Sequence, residues 1–465
     1  MVDTTRQEQS HKRPTMLRAL TRVLSYDDLL DVETVSIALD RDAILRVKRA
    51  RDGAPKFAML GDTLSIADPW MSGAHAELIL EDETVSIRDA GSRNGTFVNG
   101  EPIDRRTLAD GDLVECGHTL LCYREVPSTV AQRALSAGAQ RFGPTRTHCP
   151  EVRALLADLK KVASSGVPVL ILAETGAGKE VLASLVHDLS GRAGKFVAVD
   201  AGAVPDSLLE STFFGHKKGA FSGAAEAREG LVRRADRGTL FLDEAGNLSH
   251  DAQAALLRVI EQGAVTSVGG DRAEAVDVRW VAATNRELYG DDGFREDLLR
   301  RLAGFVARIP PLRQRREDLG ELCAFILRDA GVSRASITVE AARALFCGPL
   351  TGNVRQLKSA LRTAALLAGE DAIQREHLPE DLRHERAAQS ASAARSTSAP
   401  ASEPATDSRP SAEPASRPTR EQLETVLEAC KGNVVHVAER LNTHPRQVYR
   451  WIEKHGIDIE RYRKR

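Results

Sequence analysis

The residues best suited to chemistry lie in two short segments about 65 residues apart. The first, LILAETGAGKE at residues 170–180, places Lys179 directly after a glycine-rich turn. The second, TLFLDEAG at residues 239–246, ends an apolar run with Asp243 and Glu244. A lysine ammonium suits phosphate oxygens, whereas paired carboxylates suit a divalent cation and an activated water. The two segments together indicate a site that binds and hydrolyses a nucleotide.

The first segment is predicted to run from a strand at residues 167–172, through a turn, into an amphipathic helix at residues 181–189. Glycines let the backbone N–H groups turn toward phosphates, and the positive end of the helix attracts them. The loop departs from G-x-x-x-x-G-K-[ST] at both ends, so alone it equally fits an ordinary strand-to-helix turn. The candidate nucleotide-binding residues are Ala173, Glu174, Thr175, Gly176, Ala177, Gly178, Lys179 and Glu180.

Length and composition restrict the class of protein. The 465 residues suit about three domains, and 42% hydrophobic with 28% charged residues fits a soluble protein. The net charge of −2 gives no overall attraction to nucleic acid, so DNA binding must be local. The six cysteines form no CxxC pair, which argues against zinc and disulfide frameworks. No apolar run reaches membrane-spanning length, and we expect a cytoplasmic protein.

Short alternating runs separated by turn residues predict an all-β sandwich over residues 35–125, between a loose tail (1–34) and a linker (126–143). The segments DPWMSGAHAEL and DAGSRNGTFVNG resemble the forkhead-associated (FHA) domain, which binds phosphothreonine peptides. The resemblance implies that Ser72 contacts the phosphate, Asn94 holds the peptide backbone and His75 braces the loops. Arg49 is the candidate for the arginine that pairs with the phosphate. The alternative is a sandwich that serves only for intramolecular docking.

Strands then alternate with helices, which predicts an α/β domain over residues 144–382. The segment ESTFFGHKKGAFSGA resembles the sigma-54-dependent, NtrC-type activators of bacterial transcription, whose AAA+ domains grip the sigma factor through a GAFTGA loop. The resemblance implies that the sigma-54 contact here is Gly219, Ala220, Phe221, Ser222, Gly223 and Ala224. A buried phenylalanine in an ordinary turn is the alternative for Phe221.

The same resemblance assigns further roles. Asp243 would hold Mg²⁺ and Glu244 would activate the attacking water. Asn285 would sense the γ-phosphate, and Arg355 would be the sensor in the lid. Arg295 and Arg301 would be arginine fingers, which imply a homo-oligomeric ring, usually a hexamer. Glu180 is usual for the family, whereas Asp200 replaces an asparagine that restrains the catalytic glutamate. We therefore expect Asp200 to alter basal hydrolysis.

Residues 383–418 contain little but alanine, serine, proline and charged side chains, which predicts a disordered linker. Residues 419–465 predict an all-α helix-turn-helix, and GNVVHVAERLNTHPRQVYRWIEKHGI resembles the Fis-type domain that ends NtrC-type activators. The residues expected to contact DNA are Arg446, Gln447, Tyr449 and Arg450. A three-helix cap that dimerises without DNA is the alternative.

The predicted chain is therefore multidomain: an all-β FHA sandwich, an α/β AAA+ P-loop domain with a helical lid, and an all-α helix-turn-helix. The resemblance implies an ATP- and Mg²⁺-dependent activator that binds upstream double-stranded DNA, remodels sigma-54 RNA polymerase and senses a phosphothreonine, without a membrane. Two alternatives stay open: a DNA- and phosphopeptide-binding regulator with a vestigial ATPase, and an AAA+ remodeller of another target.

Overall fold

The structure is a computed structural model that describes residues 15–31, 33–39, 44–51, 55–81, 83–220, 224, 226–286, 288 and 293–383. In the carboxyl-terminal part it describes residues 423, 424, 427, 437 and 457. The chain divides into two compact units, residues 1–396 and 397–465. Among the described residues no helix is long and apolar enough to cross a membrane.

The first part of unit one is a sandwich of two six-stranded sheets, ordered β2-β1-β12-β11-β8-β9 and β10-β7-β6-β3-β5-β4. Its strands are β1 Met16–Ser25, β2 Ser36–Ala38, β3 Ile44–Arg49, β4 Phe57–Leu60, β5 Thr63–Ile66, β6 Ala76–Glu81, β7 Thr84–Asp89, β8 Thr96–Val98, β9 Glu101–Ile103, β10 Arg105–Thr107, β11 Leu113–Cys116 and β12 Thr119–Pro127. Inward-facing side chains such as Val47, Leu78 and Val114 fill the space between the sheets. The predicted all-β sandwich is confirmed.

The predicted boundaries of this sandwich are wrong at both ends. β1 lies within the expected tail and pairs antiparallel with β12 from Met16 to Ser25. Residues 20–24 of β1 are buried on both faces, so the strand lacks the polar–apolar alternation that would have identified it. The linker at 126–143, for which partial helix was expected, contains the end of β12, helix α1 (Ser128–Ala137) and strand β13 (Gln140–Phe142).

The α/β domain is built on a parallel sheet in the order β16-β19-β22-β15-β23. After β13 its elements are β14 Thr145–Thr147, α2 Pro150–Ala163, β15 Val169–Leu172, α3 Lys179–Ser190, β16 Phe196–Asp200, α4 Asp206–Phe214, β17 Gly215–His216, β18 Arg228–Glu229, α5 Leu231–Arg234, β19 Thr239–Asp243, α6 His250–Gln262, β20 Ala264–Val265, β21 Glu274–Ala275, β22 Arg279–Thr284, α7 Glu296–Leu302 and β23 Phe305–Arg308. The strands predicted from the sequence at 167–172, 196–199, 239–242 and 278–283 correspond to β15, β16, β19 and β22. β15, β19 and β22 are buried within the parallel sheet, whereas β16 lies at its edge and only Val197 of it is buried.

Three helices follow as a lid: α8 Leu319–Asp329, α9 Val339–Phe346 and α10 Asn353–Ala368. Two 3-10 turns, Leu312–Gln314 and Arg316–Asp318, connect the sheet to α8. The outer face of β1 packs on α8, so that Val23, Leu24, Leu319 and Cys323 belong to one apolar core. The FHA-like sandwich and the lid are therefore parts of one folded unit.

Five positions of the second unit are described, and four of them are helical. Leu423 and Leu427 are helical and fully buried, and their spacing of four residues places them on one helical face. Val437 is likewise helical and buried. The candidate DNA-contact residues Arg446, Gln447, Tyr449 and Arg450 lie outside the described residues.

Candidate nucleotide site and peptide-binding loops

The loop between β15 and α3 has the backbone that its glycines predict. Gly176 and Gly178 take positive φ values of 78° and 112°, a region that glycine adopts without strain. A side chain on Gly176 would place Cβ 2.4 Å from the carbonyl oxygen of Gly352, at the start of α10. Ala173 continues the strand, since its N–H donates to the Thr284 carbonyl at 3.1 Å. Alanine at the usual first glycine is thus accommodated by strand pairing.

Lys179 and the two predicted carboxylates converge at the carboxyl end of the sheet. The Nζ of Lys179 lies 3.2 Å from Oδ1 of Asp243 and pairs with Glu244. Lys179 is only 7% exposed, and burial strengthens its attraction to these anions. Glu244 sits at φ 50°, a left-handed conformation uncommon for its residue type, at the point where β19 ends. The structure therefore joins residues that are 65 positions apart in the sequence.

A pocket of about 400 Å³ opens beside this cluster. One side is the loop from Gly176 to Lys179 with Asp243, and Glu180 lies at its edge. The other side is apolar and comes from Phe142, Leu322, Phe325 and Ile326. Arg355 and Lys358 of α10 add positive charge, so the predicted lid arginine does line the pocket. A pocket with basic groups and one apolar wall suits a nucleotide, because its phosphates are anionic and its base is aromatic.

Sequence reasoning missed the residues that brace the loop. Arg313 forms two hydrogen bonds with Glu174, at 2.6 and 2.8 Å, and this pairing lowers the pKa of Glu174 to about 2. Asn353 donates to Glu174 and to the Thr175 carbonyl, both at 3.1 Å. Glu174 is therefore the residue of the loop that Arg313 and Asn353 hold in place. The segment GNVR at residues 352–355 was the available signal in the sequence, because its asparagine, Asn353, begins α10 and can reach the loop.

Asn285 and Asp200 are not among the residues that line this pocket. Asn285, after β22, has its amide 3.5 Å from the Thr175 hydroxyl. Asp200 accepts from the Gly202 N–H at 2.9 Å, within its own 3-10 turn, while Glu244 pairs with Lys179.

The two predicted arginine fingers point elsewhere in this chain. Arg295 pairs with Asp297 at 2.7 Å and Arg301 with Glu261 at 3.2 Å. Both side chains are at least one-third exposed, and neither lines the 400 Å³ pocket.

The predicted sigma-54 loop is described only at its base. The Gly219 N–H donates to the Ala224 carbonyl at 2.9 Å, closing a turn, and Gly219 takes φ 81°. Ala220 lies against Gly269 in the neighbouring segment. Phe221, Ser222 and Gly223 lie outside the described residues.

In the sandwich, the candidate peptide-binding residues lie on adjacent loops. The Arg49 N–H donates to the Ser72 carbonyl at 3.2 Å, and the Arg93 N–H donates to the Ser72 hydroxyl at 3.0 Å. Asn94 donates its side-chain amide to the Trp70 carbonyl at 2.7 Å. Arg49, Arg93 and Asn94 are exposed. The structure thus brings Arg49, Ser72 and Asn94 together on one loop-bearing end.

His75 braces these loops, as predicted. It is fully buried; Nδ1 accepts from the Ser72 N–H and Nε2 bonds the Gly95 carbonyl, both at 3.2 Å. This pattern assigns the neutral ring with its proton on Nε2. Burial lowers the pKa of His75 below its ordinary value of 6.5.

The site combines a parallel sheet, a glycine-rich loop that ends in a buried lysine, carboxylates at the end of a neighbouring strand, and a helical lid beside the pocket. These features define the AAA+ class of P-loop ATPase. Family models agree along the chain: Sigma-54 interaction domain at 146–307, AAA+ ATPase lid domain at 313–395, FHA domain at 61–117, and Bacterial regulatory protein, Fis family, at 420–455. Arg49 lies ahead of the matched FHA range. The chain is therefore a nucleotide-binding ATPase with FHA and helix-turn-helix domains.

Two relatives by sequence, PilR and AtoC, show the family. The response regulator protein PilR of Pseudomonas aeruginosa is 40% identical over 317 residues, covering 66% of this chain and 69% of PilR. The regulatory protein AtoC of Escherichia coli is 36% identical over 334 residues, 70% of each chain. A crystal structure of NtrX from Brucella abortus in complex with ATP is 25% identical, with a TM-score of 0.48 and coverage of 71% and 73%. The chain belongs to the sigma-54-dependent, NtrC-type transcriptional activators.

Proposed function

We propose that this protein hydrolyses ATP to remodel the closed complex of sigma-54 RNA polymerase into an open one, under control of a phosphothreonine ligand of its FHA domain. The observation that carries the proposal is the convergence of Lys179, Asp243 and Glu244 beside the pocket. A DNA- and polymerase-bound protein would act in the bacterial cytoplasm.

The residues divide the chemistry between them. Lys179 binds the outer phosphates of ATP, and the backbone of the loop from Gly176 to Gly178 surrounds them. Glu244 orients and deprotonates the water that attacks the γ-phosphate. On release from Lys179, its carboxylate is free to accept that proton. The apolar wall with Phe142 and Ile326 receives the adenine ring.

A magnesium ion fits the donor set at this point. Asp243 lines the pocket with its carboxylate next to Lys179, and carboxylate oxygens are the ligands that Mg²⁺ prefers. Asp243 would hold the ion, which would neutralise phosphate charge when bound.

Asn285, Arg295 and Arg301 act around the phosphates of the assembled ring. Asn285 senses the γ-phosphate from its place beside Thr175. Arg295 and Arg301 do not line their own pocket, which supports a role in the neighbouring subunit of a ring, a hexamer by family resemblance. Gly219–Ala224 transmit the hydrolysis cycle to sigma-54, with Phe221 as the apolar contact.

The sandwich receives the signal. The exposed Arg49 supplies a guanidinium for the phosphate, Ser72 adds its hydroxyl, and Asn94 holds the peptide backbone. At the other end of the chain, Arg446, Gln447, Tyr449 and Arg450 bind upstream DNA through its major groove and phosphates.

The test is promoter opening with purified components. Wild-type protein, sigma-54 holoenzyme, a sigma-54 promoter and ATP are mixed, and open complexes are scored by permanganate footprinting. Lys179→Ala should abolish both ATP turnover and opening. Phe221→Ala should keep turnover and lose opening, since Gly219, Ala220 and Ala224, the described residues of this loop, do not line the nucleotide pocket.

The other outcomes separate the alternatives. Absence of turnover in the wild type would indicate a vestigial ATPase and overturn the proposal. Turnover without opening, even with saturating phosphothreonine peptide, would indicate another remodelling target.

A further inference from the structure

The FHA sandwich touches the ATPase through polar contacts as well as apolar ones. Arg343 of α9 pairs with Glu115 of β11, with Nε 2.9 Å from the carboxylate, and its guanidinium lies 3.7 Å from the centre of the Phe97 ring. Backbone bonds also cross: the Leu29 N–H donates to Ala335 and the Ile337 N–H to Tyr26, both at 2.9 Å. The sandwich is thus docked on the lid through backbone and side chains together.

Arg124 of β12 is a buried charge in this contact. Its side chain is 5% exposed, and it pairs with Glu317 of the 3-10 turn before α8. The other guanidinium nitrogens lie 2.8 Å from Glu151 and 2.8 Å from Asp110. Because a buried guanidinium is costly without partners, these carboxylates hold it in one position.

Glu317 depends on Arg124 in return. Its side chain is 2% exposed, and the charge of Arg124 opposes the burial that raises the pKa of its carboxyl group. Donor atoms of Cys149, Glu151 and Glu317 lie within 4.8 Å of one another, a grouping that could hold a cation. Arg124 already supplies the positive charge between the two carboxylates, so we assign an ion pair here.

The turn that carries Glu317 also holds the phosphate loop. Two residues earlier, Arg315 donates to the Ala177 carbonyl at 2.7 Å and lies 5.3 Å from the Phe142 ring centre, in the wall of the pocket. One residue later, Asp318 pairs with Arg315 at 3.8 Å and accepts from the His148 N–H at 2.6 Å. Since Arg315 is only 2% exposed, any shift of this turn moves a group bonded to the loop.

We propose that Arg124 is a positioning residue for the nucleotide pocket, acting through Glu317 on the Arg315–Ala177 contact. The docked FHA domain is then a structural part of the ATPase site, and its release loosens the phosphate loop. This inference rests on the proposed function only in taking ATP as the ligand of the pocket.

The test uses the full chain with Arg124→Met, which keeps the apolar stem and removes the charge. Arg46→Met is the matched control: its ion pair with Asp62 lies on the same sandwich, but both side chains are more than half exposed. Affinity for a fluorescent ADP analogue is measured, together with hydrogen–deuterium exchange of the amides at residues 173–179. We expect about tenfold weaker binding and faster exchange in Arg124→Met, and neither change in Arg46→Met.

Two more variants separate positioning from general destabilisation. Arg124→Lys keeps one charge for Glu317 and should recover part of the affinity. Glu317→Gln should weaken binding, and adding Arg124→Met to it should cost less than Arg124→Met alone, because the two residues act in series. If Arg124→Met does not fold, the Lys and Gln variants carry the same comparison.

Three results would overturn the inference. The first is an Arg124→Met protein whose ADP affinity and loop exchange equal those of the wild type while its Leu29 and Ile337 amides exchange faster. The domains would then be separated without effect on the pocket. Another is equal loss in Arg46→Met, and the third is full additivity of the Arg124 and Glu317 changes. A wild-type chain that binds no nucleotide would refute the proposed function instead, and loop exchange in the Arg124 variants would still test the inference.

Discussion

Gly320, in the first turn of α8, decides how closely the lid approaches the sandwich. A Cβ at this position would lie 2.0 Å from the carbonyl oxygen of Val23 in β1. Ordinary contact begins near 3.4 Å, so the helix and the strand would have to separate by about 1.4 Å (3.4 minus 2.0). The obstructing atom belongs to the backbone of a paired strand and cannot rotate away. Gly320→Ala should therefore force the two elements apart.

Two effects of opposite sign make this substitution a sharp test. Alanine favours helix over glycine by about 1 kcal/mol or less in a first turn. Overpacking a well-packed contact costs about 1–3 kcal/mol, and a backbone clash belongs at the upper end. The net prediction is destabilisation by roughly 2 kcal/mol. Helix propensity alone predicts the opposite sign.

The assay is denaturant unfolding of the full chain together with hydrogen–deuterium exchange. We expect a lower unfolding midpoint and faster exchange at the Leu29 and Ile337 amides, whose bonds cross the contact. Exchange in β15 and β19 should not change. Gly166→Ala is the control, because it adds the same methyl group where nothing lies within 4 Å. A more stable Gly320→Ala, or unchanged exchange at both amides, would refute the close approach of lid and sandwich.

Three further outcomes are expected. Because burial lowers the pKa of His75, the neutral ring stabilises the fold above pH 6.5, and that contribution is lost as pH falls through the lowered pKa. His75→Asn should therefore flatten this part of the curve of unfolding free energy against pH. An unchanged slope in the variant would refute this prediction. The Glu174–Arg313 pair is about 40% exposed on each side, so a double-mutant cycle on unfolding should give a coupling below about 1 kcal/mol, and a larger value would contradict this reading. Mixing inactive Lys179→Ala with inactive Arg295→Ala protein should restore part of the ATP turnover if the arginine acts across subunits, whereas no recovery would place its role within one subunit.

The parallel sheet and its site were predictable because their signals are local. Each central strand is an apolar run that ends in a functional residue or turn, as β19 ends at Asp243. The carboxyl ends of neighbouring parallel strands meet at one edge, so Lys179 and Glu244 were expected to converge. Their pairing confirms the geometry while their catalytic roles stay predictions.

The sandwich was less predictable where it meets the lid. β1 is covered by the sandwich core through Leu20 and by α8 through Val23 and Leu24. Burial on two faces removes the period-two pattern, which left the strand in a presumed tail. Phe142 lies in the expected linker yet lines the pocket, because the helices and the loop around it come from distant parts of the chain. Both errors arise from tertiary contacts that the local sequence does not encode.

The braces of the phosphate loop were hidden for a different reason. Arg313, Arg315 and Asn353 lie in polar segments that read as solvated surface. Their roles depend on partners about 140 to 180 residues away in sequence, namely Glu174 and Ala177. A charged run becomes informative only when the fold buries one member, as it does Arg315 at 2% exposure.

A short series of contacts connects the loop that carries Ser72 to the lid. Trp70, two residues before Ser72, stacks on His118 with ring centres 4.4 Å apart. The His118 carbonyl accepts from the Tyr26 N–H at 2.8 Å, and the Tyr26 carbonyl accepts from the Ile337 N–H of the lid. A shift of this segment at the lid would reach the loop that carries Ser72 through these contacts. Because binding and docking would share this segment, a phosphothreonine ligand and the lid would be thermodynamically linked, each changing the affinity of the sandwich for the other by the same factor.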